Sequence, residues 1–211
     1  MTASTREDRT PSHPATGRRG AWRTVDLITA VMIGVAFGVA FIGWGQVTNL
    51  TSPLFAALPP LGGLIGGFWW LPALVAMLVI RRPGAALLAE LVAASLEPLL
   101  GGQWGITTLG SGLLQGLGVE LGFLLFAYRR FTVAPAVIGG ALAGVLESPY
   151  EWRLYYPEWA VSYAGLYLVT MAVSGALLGG LLAVALVKAL AATGVLAPFP
   201  PGREHAEQKR V

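Results

Sequence analysis

The chain has 211 residues, of which 55% are hydrophobic and only 12% are charged, and its formal net charge is +3. Because soluble domains carry about a quarter charged residues, this composition excludes an ordinary soluble domain and indicates a membrane protein. Cysteine is absent, which excludes disulfides and thiolate metal sites. The two histidines, His13 and His205, lie in the polar ends, so we expect neither a metal nor a cofactor.

The two ends of the chain are polar. Residues 1–24 contain several arginines, two acidic residues and prolines but no apolar stretch, which argues against a cleaved signal peptide. We predict a disordered cytoplasmic tail there. Residues 193–211 are predicted to form a second disordered cytoplasmic tail. Residues 25–192, between the tails, form a single predicted membrane domain.

Apolar segments between the tails predict an all-α integral membrane protein. A spanning helix needs about 20 mostly apolar residues. Six segments approach or exceed this length and predict a six-transmembrane-helix bundle: 25–47, 61–80, 83–100, 109–128, 133–147 and 163–192. The fifth segment is short for a crossing. Prolines interrupt the apolar segment 54–67, so its first half is expected to be a loop or a re-entrant turn.

The joints between these segments alternate in charge. Two joints each carry an Arg-Arg pair, whereas the other three share a single basic residue, Arg153. The basic joints are 81–84 and 129–130, and the others are 48–60, 101–108 and 148–162. Cytoplasmic loops carry the excess of Lys and Arg. The pattern therefore predicts that both termini are cytoplasmic and that three loops face outward.

Carboxylates within the apolar segments are the strongest functional signal. A carboxylate in hydrocarbon is costly, so it normally faces a protein interior or a water-filled cavity. Glu90 and Glu97 are seven residues apart, which puts them about 20° apart on one helix face and about 10 Å apart along its axis. As an alternative, Glu90 and Glu120 could pair with Arg82 or form helix–helix hydrogen bonds, and Glu147 could be a water-exposed helix end.

Aromatic and amide side chains near the outer loops complete a predicted binding site. Aromatic rings beside carboxylates suit a flat heteroaromatic or cationic ligand. The predicted substrate-binding residues are Glu90, Glu97, Gln103, Trp104, Gln115, Glu120, Glu147, Tyr150, Glu151 and Trp152. Trp and Tyr also form belts at membrane interfaces, and that role is the one expected for Trp69, Trp70 and Trp159.

Motifs for catalysis are not found in the sequence. It contains no Gly-rich phosphate loop with Lys-Ser/Thr, no Ser/His pair and no cluster of metal ligands, which argues against an enzyme. Two other functions stay open at this point. One is a stand-alone proton-coupled carrier or channel with Glu90 and Glu120 as a proton relay, and the other is a purely structural membrane subunit.

Several short motifs carry a resemblance to a known family. They are Arg82-Pro83-Gly84-Ala85-Ala86, Glu90, Gly101-Gly102-Gln103-Trp104-Gly105 and Gln115-Gly116-Leu117-Gly118-Val119-Glu120. With these motifs and its helix layout, the chain resembles the substrate-binding S-components of energy-coupling factor (ECF) transporters. Within that class it is most similar to the YkoE family, assigned to uptake of thiamine or its hydroxymethylpyrimidine precursor.

The resemblance implies a location and partners. An S-component is a non-catalytic subunit of the bacterial plasma membrane, and it works with a transmembrane coupling protein and two cytosolic ATPases. The first helix would dock on the coupling protein through the small face at Ala36 and Ala40. The implied ligand is a small vitamin, and nucleic acid is not an expected partner.

Overall fold

The computed structural model describes residues 21–210, and every regular element within them is helical. The α-helices are α1 (Thr24–Thr51), α2 (Leu71–Ile80), α3 (Ala85–Leu99), α4 (Thr108–Leu124), α5 (Val133–Tyr155), α6 (Val161–Ser174), α7 (Leu182–Ala192) and α8 (Pro200–Gln208). Three 3₁₀ helices, Ser52–Phe55, Pro59–Phe68 and Gly105–Thr107, and a π-helical segment, Gly175–Leu181, join them. The predicted all-α class is confirmed for these residues. Most of the predicted N-terminal tail, residues 1–20, lies outside them.

Four helical stretches are long and apolar enough to cross a membrane. They are Thr24–Phe55, Pro59–Ile80, Val133–Tyr155 and Val161–Ala192. Helices α3 and α4 have 15 and 17 residues, fewer than the roughly 20 needed for a full crossing. Helix α3 packs against α1, α2 and α4, and α4 also packs against α5. The outer face of α4 is exposed at Leu113, Leu117 and Leu121, so this short helix lies at the surface of the bundle.

Helix α5 departs most from the sequence prediction. A helix over 133–147 and an outer loop over 148–162 were expected, but α5 continues to Tyr155 with Pro149 inside it. A proline removes one backbone hydrogen bond of a helix, and the turns on either side can still form when tertiary contacts hold them. The outer joint is therefore reduced to residues 156–160, and Glu151 belongs to a helix rather than to a loop.

The second membrane stretch begins as a 3₁₀ helix, Pro59–Phe68. The sequence predicted a loop or re-entrant turn for the first half of segment 54–67, which overlaps the start of this helix. Side chains of α6 bond to its backbone. The Thr170 hydroxyl donates to the Pro60 carbonyl at 2.7 Å, and the Ser174 hydroxyl donates to the Leu64 carbonyl at 2.7 Å. The Gly67 N–H donates to Ser174 Oγ at 2.8 Å. Irregular backbone at membrane depth needs such partners within the protein.

Glycines allow several elements of the bundle to meet at backbone contact. A Cβ atom on Gly118 or Gly122 of α4 would overlap the backbone of α5, and one on Gly140 of α5 would overlap the carbonyl group of Gly175. Small residues at such crossings let helices approach closely within a membrane. Gly140 thus lies against Gly175, whereas Gly144 lies against Met171 of α6 and Gly179 lies against Trp70.

The two ends of the bundle differ. We call the end with joints 81–84 and 125–132 the arginine end, and the opposite one the cavity end.

The arginine end also carries α8, although 193–211 was predicted to be a disordered tail. Leu196 and Phe199 are buried and anchor α8, whose Glu204 accepts hydrogen bonds from Arg81 at 2.5 and 2.7 Å. These bonds lower the pKa of Glu204, so this stabilisation is lost as acid protonates the carboxylate.

The close crossing of α5 and the π-helical segment predicts a steep penalty for one methyl group. Gly140→Ala should lower the free energy of unfolding by about 1–3 kcal/mol, because its Cβ meets backbone that cannot move aside. Gly165→Ala in α6 is the matched control, since open space surrounds it. It should be neutral or slightly stabilising. Equal thermal unfolding midpoints for both variants in detergent would contradict this crossing.

Candidate ligand-binding cavity

A cavity of about 350 Å³ opens at the cavity end of the bundle. Its walls come from the end of α1, the 3₁₀ helices 52–55 and 59–68, the last turns of α5, joint 156–160 and α6. Seven aromatic side chains form much of its lining: Phe55, Trp69, Trp104, Tyr155, Tyr156, Trp159 and Tyr167. Such rings present flat apolar faces that attract cations and other aromatic groups.

A deeper recess of about 40 Å³ adjoins this cavity. Trp69, Trp104, Glu151 and Tyr155 line both spaces. The recess adds polar groups from α3 and α4, namely Glu97, Thr108, Ser111 and Gln115. A ligand that enters between the aromatic rings would therefore meet carboxylate, hydroxyl and amide groups at its inner end.

Glu97 is the most available acceptor in the recess. Its side chain lies in the last turns of α3 and the residue is only 4% exposed. Among the described residues, no ion pair or hydrogen bond engages its carboxylate. A buried charge without a partner is costly. A ligand that donates hydrogen bonds to Glu97 would remove this cost.

Glu151 lies among aromatic rings. Its carboxylate accepts a hydrogen bond from the Tyr167 hydroxyl, and the Tyr167 ring meets those of Tyr156 and Trp159 edge to face. Tyr156 and Trp159 stack with 4.0 Å between ring centroids. Burial raises the pKa of Tyr156 to about 12, so its phenol stays neutral near pH 7. One carboxylate surrounded by rings is an arrangement suited to an organic cation.

Two tryptophans fix the inner wall of the cavity. Trp104 was predicted to line the site, and its ring meets that of Trp69 at 5.0 Å between centroids and an interplanar angle of 84°. Trp69 and Trp159 were expected in the interface belt, but both line the cavity. Trp70, also assigned to the belt, is a fully buried core residue. The Trp69 ring is held in the lining by its contact with Trp104 of a distant segment, and no pattern within residues 61–80 shows that contact.

Glu90 lies outside the cavity, contrary to the sequence prediction. It is fully buried, and its Oε2 accepts a hydrogen bond of 3.1 Å from the N–H of Ala73. Ala73 is in the first turn of α2, where backbone N–H groups have no partner within the helix. Glu90 therefore caps a helix that begins inside the protein. This contact matches the alternative interpretation of the sequence, in which Glu90 forms a hydrogen bond between helices.

Glu120 also lies away from the cavity, at the arginine end. Its Oε1 accepts hydrogen bonds from the N–H groups of Ala86 at 3.0 Å and Leu87 at 3.4 Å, in the first turn of α3. Its Oε2 accepts one from the Tyr128 hydroxyl at 2.7 Å. Burial and the Glu120 carboxylate raise the pKa of Tyr128. This hydrogen bond thus keeps its full effect below about pH 10 and loses it as Tyr128 ionises.

Glu147 is not a water-exposed helix end. It is fully buried and sits behind the recess, where Ser111 and Gln115 are its polar neighbours. Neither of its carboxylate oxygens has a hydrogen-bond partner among the described residues. Of the predicted carboxylates, only Glu97 and Glu151 line the cavity.

The remaining predicted residues support the walls. The Tyr150 hydroxyl donates to the Thr107 carbonyl at 3.0 Å. The Trp152 indole N–H donates to the Trp159 carbonyl at 3.3 Å. Gln103 lies beside Gly45 of α1 and is not part of the lining. These residues hold the joints in place and do not face the ligand space.

Prediction missed Tyr155, Tyr156 and Tyr167 as lining residues. The first two lie in the joint predicted over 148–162, and Tyr167 lies in the sixth apolar segment. The signal that could have found them is their spacing from Glu151. Tyr155 is four residues later, one helical turn away, once α5 is known to continue past Pro149.

The different positions of the carboxylates predict different effects of mutation. Glu120→Ala leaves two N–H groups and one hydroxyl without partners, which should cost about 1–3 kcal/mol of stability. Tyr128→Phe should cost less and serves as the milder variant. Neither should change ligand affinity, because neither residue lines the cavity. Thermal unfolding and ligand titration of both variants provide the test, and an affinity loss in Tyr128→Phe without a stability loss would contradict it.

Comparisons with known proteins agree with this architecture. Residues 25–146 match the family model described as the permease component of an ABC-type cobalt transport system. The chain is 31% identical over 193 residues to YkoE of Bacillus subtilis (strain 168), named as a candidate HMP/thiamine permease. The match covers 90% of this chain and 95% of that relative.

A solved structure is also similar. The crystal structure of an S-component of an ECF transporter matches with a TM-score of 0.83 and 30% identity, covering 90% of this chain and 96% of that one. The similarity thus extends over the whole bundle and not over one motif. The chain belongs to the S-component family of ECF transporters that includes YkoE, and it is a multi-pass protein of the cell membrane.

Proposed function

We propose that this protein is the substrate-binding component of an ECF-type importer and that it captures thiamine or its hydroxymethylpyrimidine precursor from outside the cell. The observation that carries the proposal is the cavity in which Glu97 and Glu151 lie among aromatic rings. The relative YkoE, named for HMP and thiamine, supports the choice of ligand. The protein itself is non-catalytic, and partner ATPases supply the energy.

The proposed topology has six crossing segments with both termini in the cytoplasm. Both Arg-Arg pairs lie at the arginine end and the cavity opens at the opposite end. Because basic residues are enriched on the cytoplasmic side, this arrangement directs the cavity outward. The short helices α3 and α4 complete the six segments.

The ligand would enter with its pyrimidine first. Glu97 and Gln115 in the recess would bind the amino group and ring nitrogens, while Trp69 and Trp104 contact the ring. A thiazolium would then lie beside Glu151 and the neighbouring rings. A hydrogen bond to a charged group contributes about 1.5–3 kcal/mol. Two such bonds with aromatic contacts reach the roughly −12 kcal/mol of nanomolar binding only if the cavity is preorganised.

A metal ligand is not part of the proposal, although the matching family model is described by cobalt transport. The lining of rings, amide and hydroxyl groups favours an organic ligand. Among residues 21–210, no group of three or more His, Asp or Glu side chains is arranged to hold a metal ion.

The proposed partners are a transmembrane coupling protein and two cytosolic ATPases, with α1 as the docking helix. One face of α1 packs on α3 through Gly34 and Gly38, whose added Cβ atoms would overlap residues of α3. The other face includes exposed Ala36 and half-buried Ala40. That face is free in the described part of the chain and small enough for close approach of another helix.

Exchange of the cavity carboxylates tests ligand binding. Glu97→Gln and Glu151→Gln should each weaken thiamine binding about 10–100-fold, because each removes one charged hydrogen bond or charge contact. Quenching of tryptophan fluorescence in purified protein measures the affinity. Glu158→Gln is the matched control, since Glu158 is exposed and outside the lining.

Hydroxymethylpyrimidine separates the two carboxylates. It lacks the cationic ring, so its binding should depend on Glu97 and much less on Glu151. Unchanged thiamine affinity in both variants, or an equal loss in Glu158→Gln, would contradict the proposed site.

Enlarging the small face of α1 tests partner docking. The double variant Ala36→Trp and Ala40→Trp should abolish copurification with the coupling protein and ATPases but keep thiamine binding, because the face lies outside the cavity. Ala185→Trp, at an exposed position of α7, is the control. A complex that assembles normally with the double variant would contradict docking through this face.

A further inference from the structure

A second cavity, of about 360 Å³, lies at the arginine end. It is bounded by the end of α2, the start of α5, α7 and α8, so it lies at the other end of the bundle from the proposed ligand site. Its inner wall is apolar and includes Leu78, Val184, Val187 and Ala191. Its rim is polar.

The rim has more donors than free acceptors. Arg81 and Glu204 line it but are paired with one another. Lys188 is exposed and forms no ion pair with another described residue. The Nε2 atom of His205 is buried without a hydrogen-bond partner among residues 21–210. The uncompensated charge of the rim is therefore that of Lys188.

The start of α5 adds to this positive character. Thr132, the N-cap residue, lines the cavity and its side chain makes no capping hydrogen bond. The first N–H groups of a helix are unpaired and carry partial positive charge, so they favour an anion nearby. A lysine, an unpartnered imidazole and an uncapped helix start thus converge on one space.

The depth of this cavity indicates the kind of anion. Lys188 lies in the last turn of the apolar stretch Val161–Ala192, where lysine side chains extend towards the headgroups of the bilayer. The apolar wall continues from the rim towards the membrane interior along Val184 and Val187 of the same helix. Val187 is already buried by the protein, whereas the half-buried Val184 would stay uncovered beside a free inorganic anion.

We propose that this cavity binds an anionic phospholipid. Its phosphodiester lies against Lys188, Thr132 and His205, and an acyl chain lies along α7 over the half-buried Val184. One lysine charge complements the single negative charge of a phosphatidylglycerol headgroup. Basic pockets between membrane helices on the cytoplasmic side are suited to such headgroups. The site does not depend on the identity of the transported vitamin.

The test is native mass spectrometry of the purified 211-residue chain, equilibrated in micelles with equimolar phosphatidylglycerol and phosphatidylcholine. The wild-type protein should retain one phosphatidylglycerol molecule in preference. Lys188→Gln should reduce that retention about fivefold, the effect of one basic side chain at a membrane surface. Lys209→Gln makes the same charge change outside the cavity lining and should retain the lipid as the wild type does.

Each alternative has its own outcome. Equal retention of both lipids by the wild type, or equal losses in the two lysine variants, would overturn the proposal. Displacement of phosphatidylglycerol by millimolar inorganic phosphate would assign the site to a free anion and overturn the lipid assignment. Thiamine titration of Lys188→Gln should match that of the wild type, which separates this result from a failure of the transport proposal.

Discussion

Backbone amides that lie inside a bilayer have no water to bond to, and this constraint governs the second membrane stretch. The stretch changes from a 3₁₀ helix to α2 at residues 69–70, so α2 begins within the protein. Glu90 of α3 accepts the Ala73 N–H, and Ser174 of α6 bonds to both Gly67 and Leu64. An acidic residue in an apolar helix, at first sight a ligand group, is thereby explained as a cap.

The same irregular stretch also forms part of the wall of the cavity. Its 3₁₀ part supplies Pro59, Gly62 and Gly66 to the cavity wall, and Trp69 follows directly after it. Contacts from α1, where the Trp44 indole donates to the Ile65 carbonyl at 3.2 Å, and from α6 hold the wall in one conformation. A cavity fixed in this way does not have to be ordered by its ligand, and a fixed cavity is what tight binding of a small vitamin requires.

How far the sequence predicts this structure depends on which contacts are local. The lengths of the apolar segments and the alternating joints are local features, and they predict the class and most of the helices. Glu90 and Glu97 share one face of α3, and no pattern within α3 shows that the start of α2 reaches only Glu90. The anchoring of α8 through Leu196 and the role of Trp69 likewise depend on partners distant in the chain.

The proton relay considered for Glu90 and Glu120 loses its support because backbone amides engage both carboxylates.

The central claim is that a vitamin-like cation binds between the aromatic rings and the two carboxylates Glu97 and Glu151. The most direct measurement is an experimental structure of the protein in complex with thiamine. The account predicts density for the pyrimidine in the recess beside Glu97 and for the thiazolium beside Glu151. Thiamine found elsewhere in the bundle, or an unoccupied cavity at saturating thiamine, would contradict it.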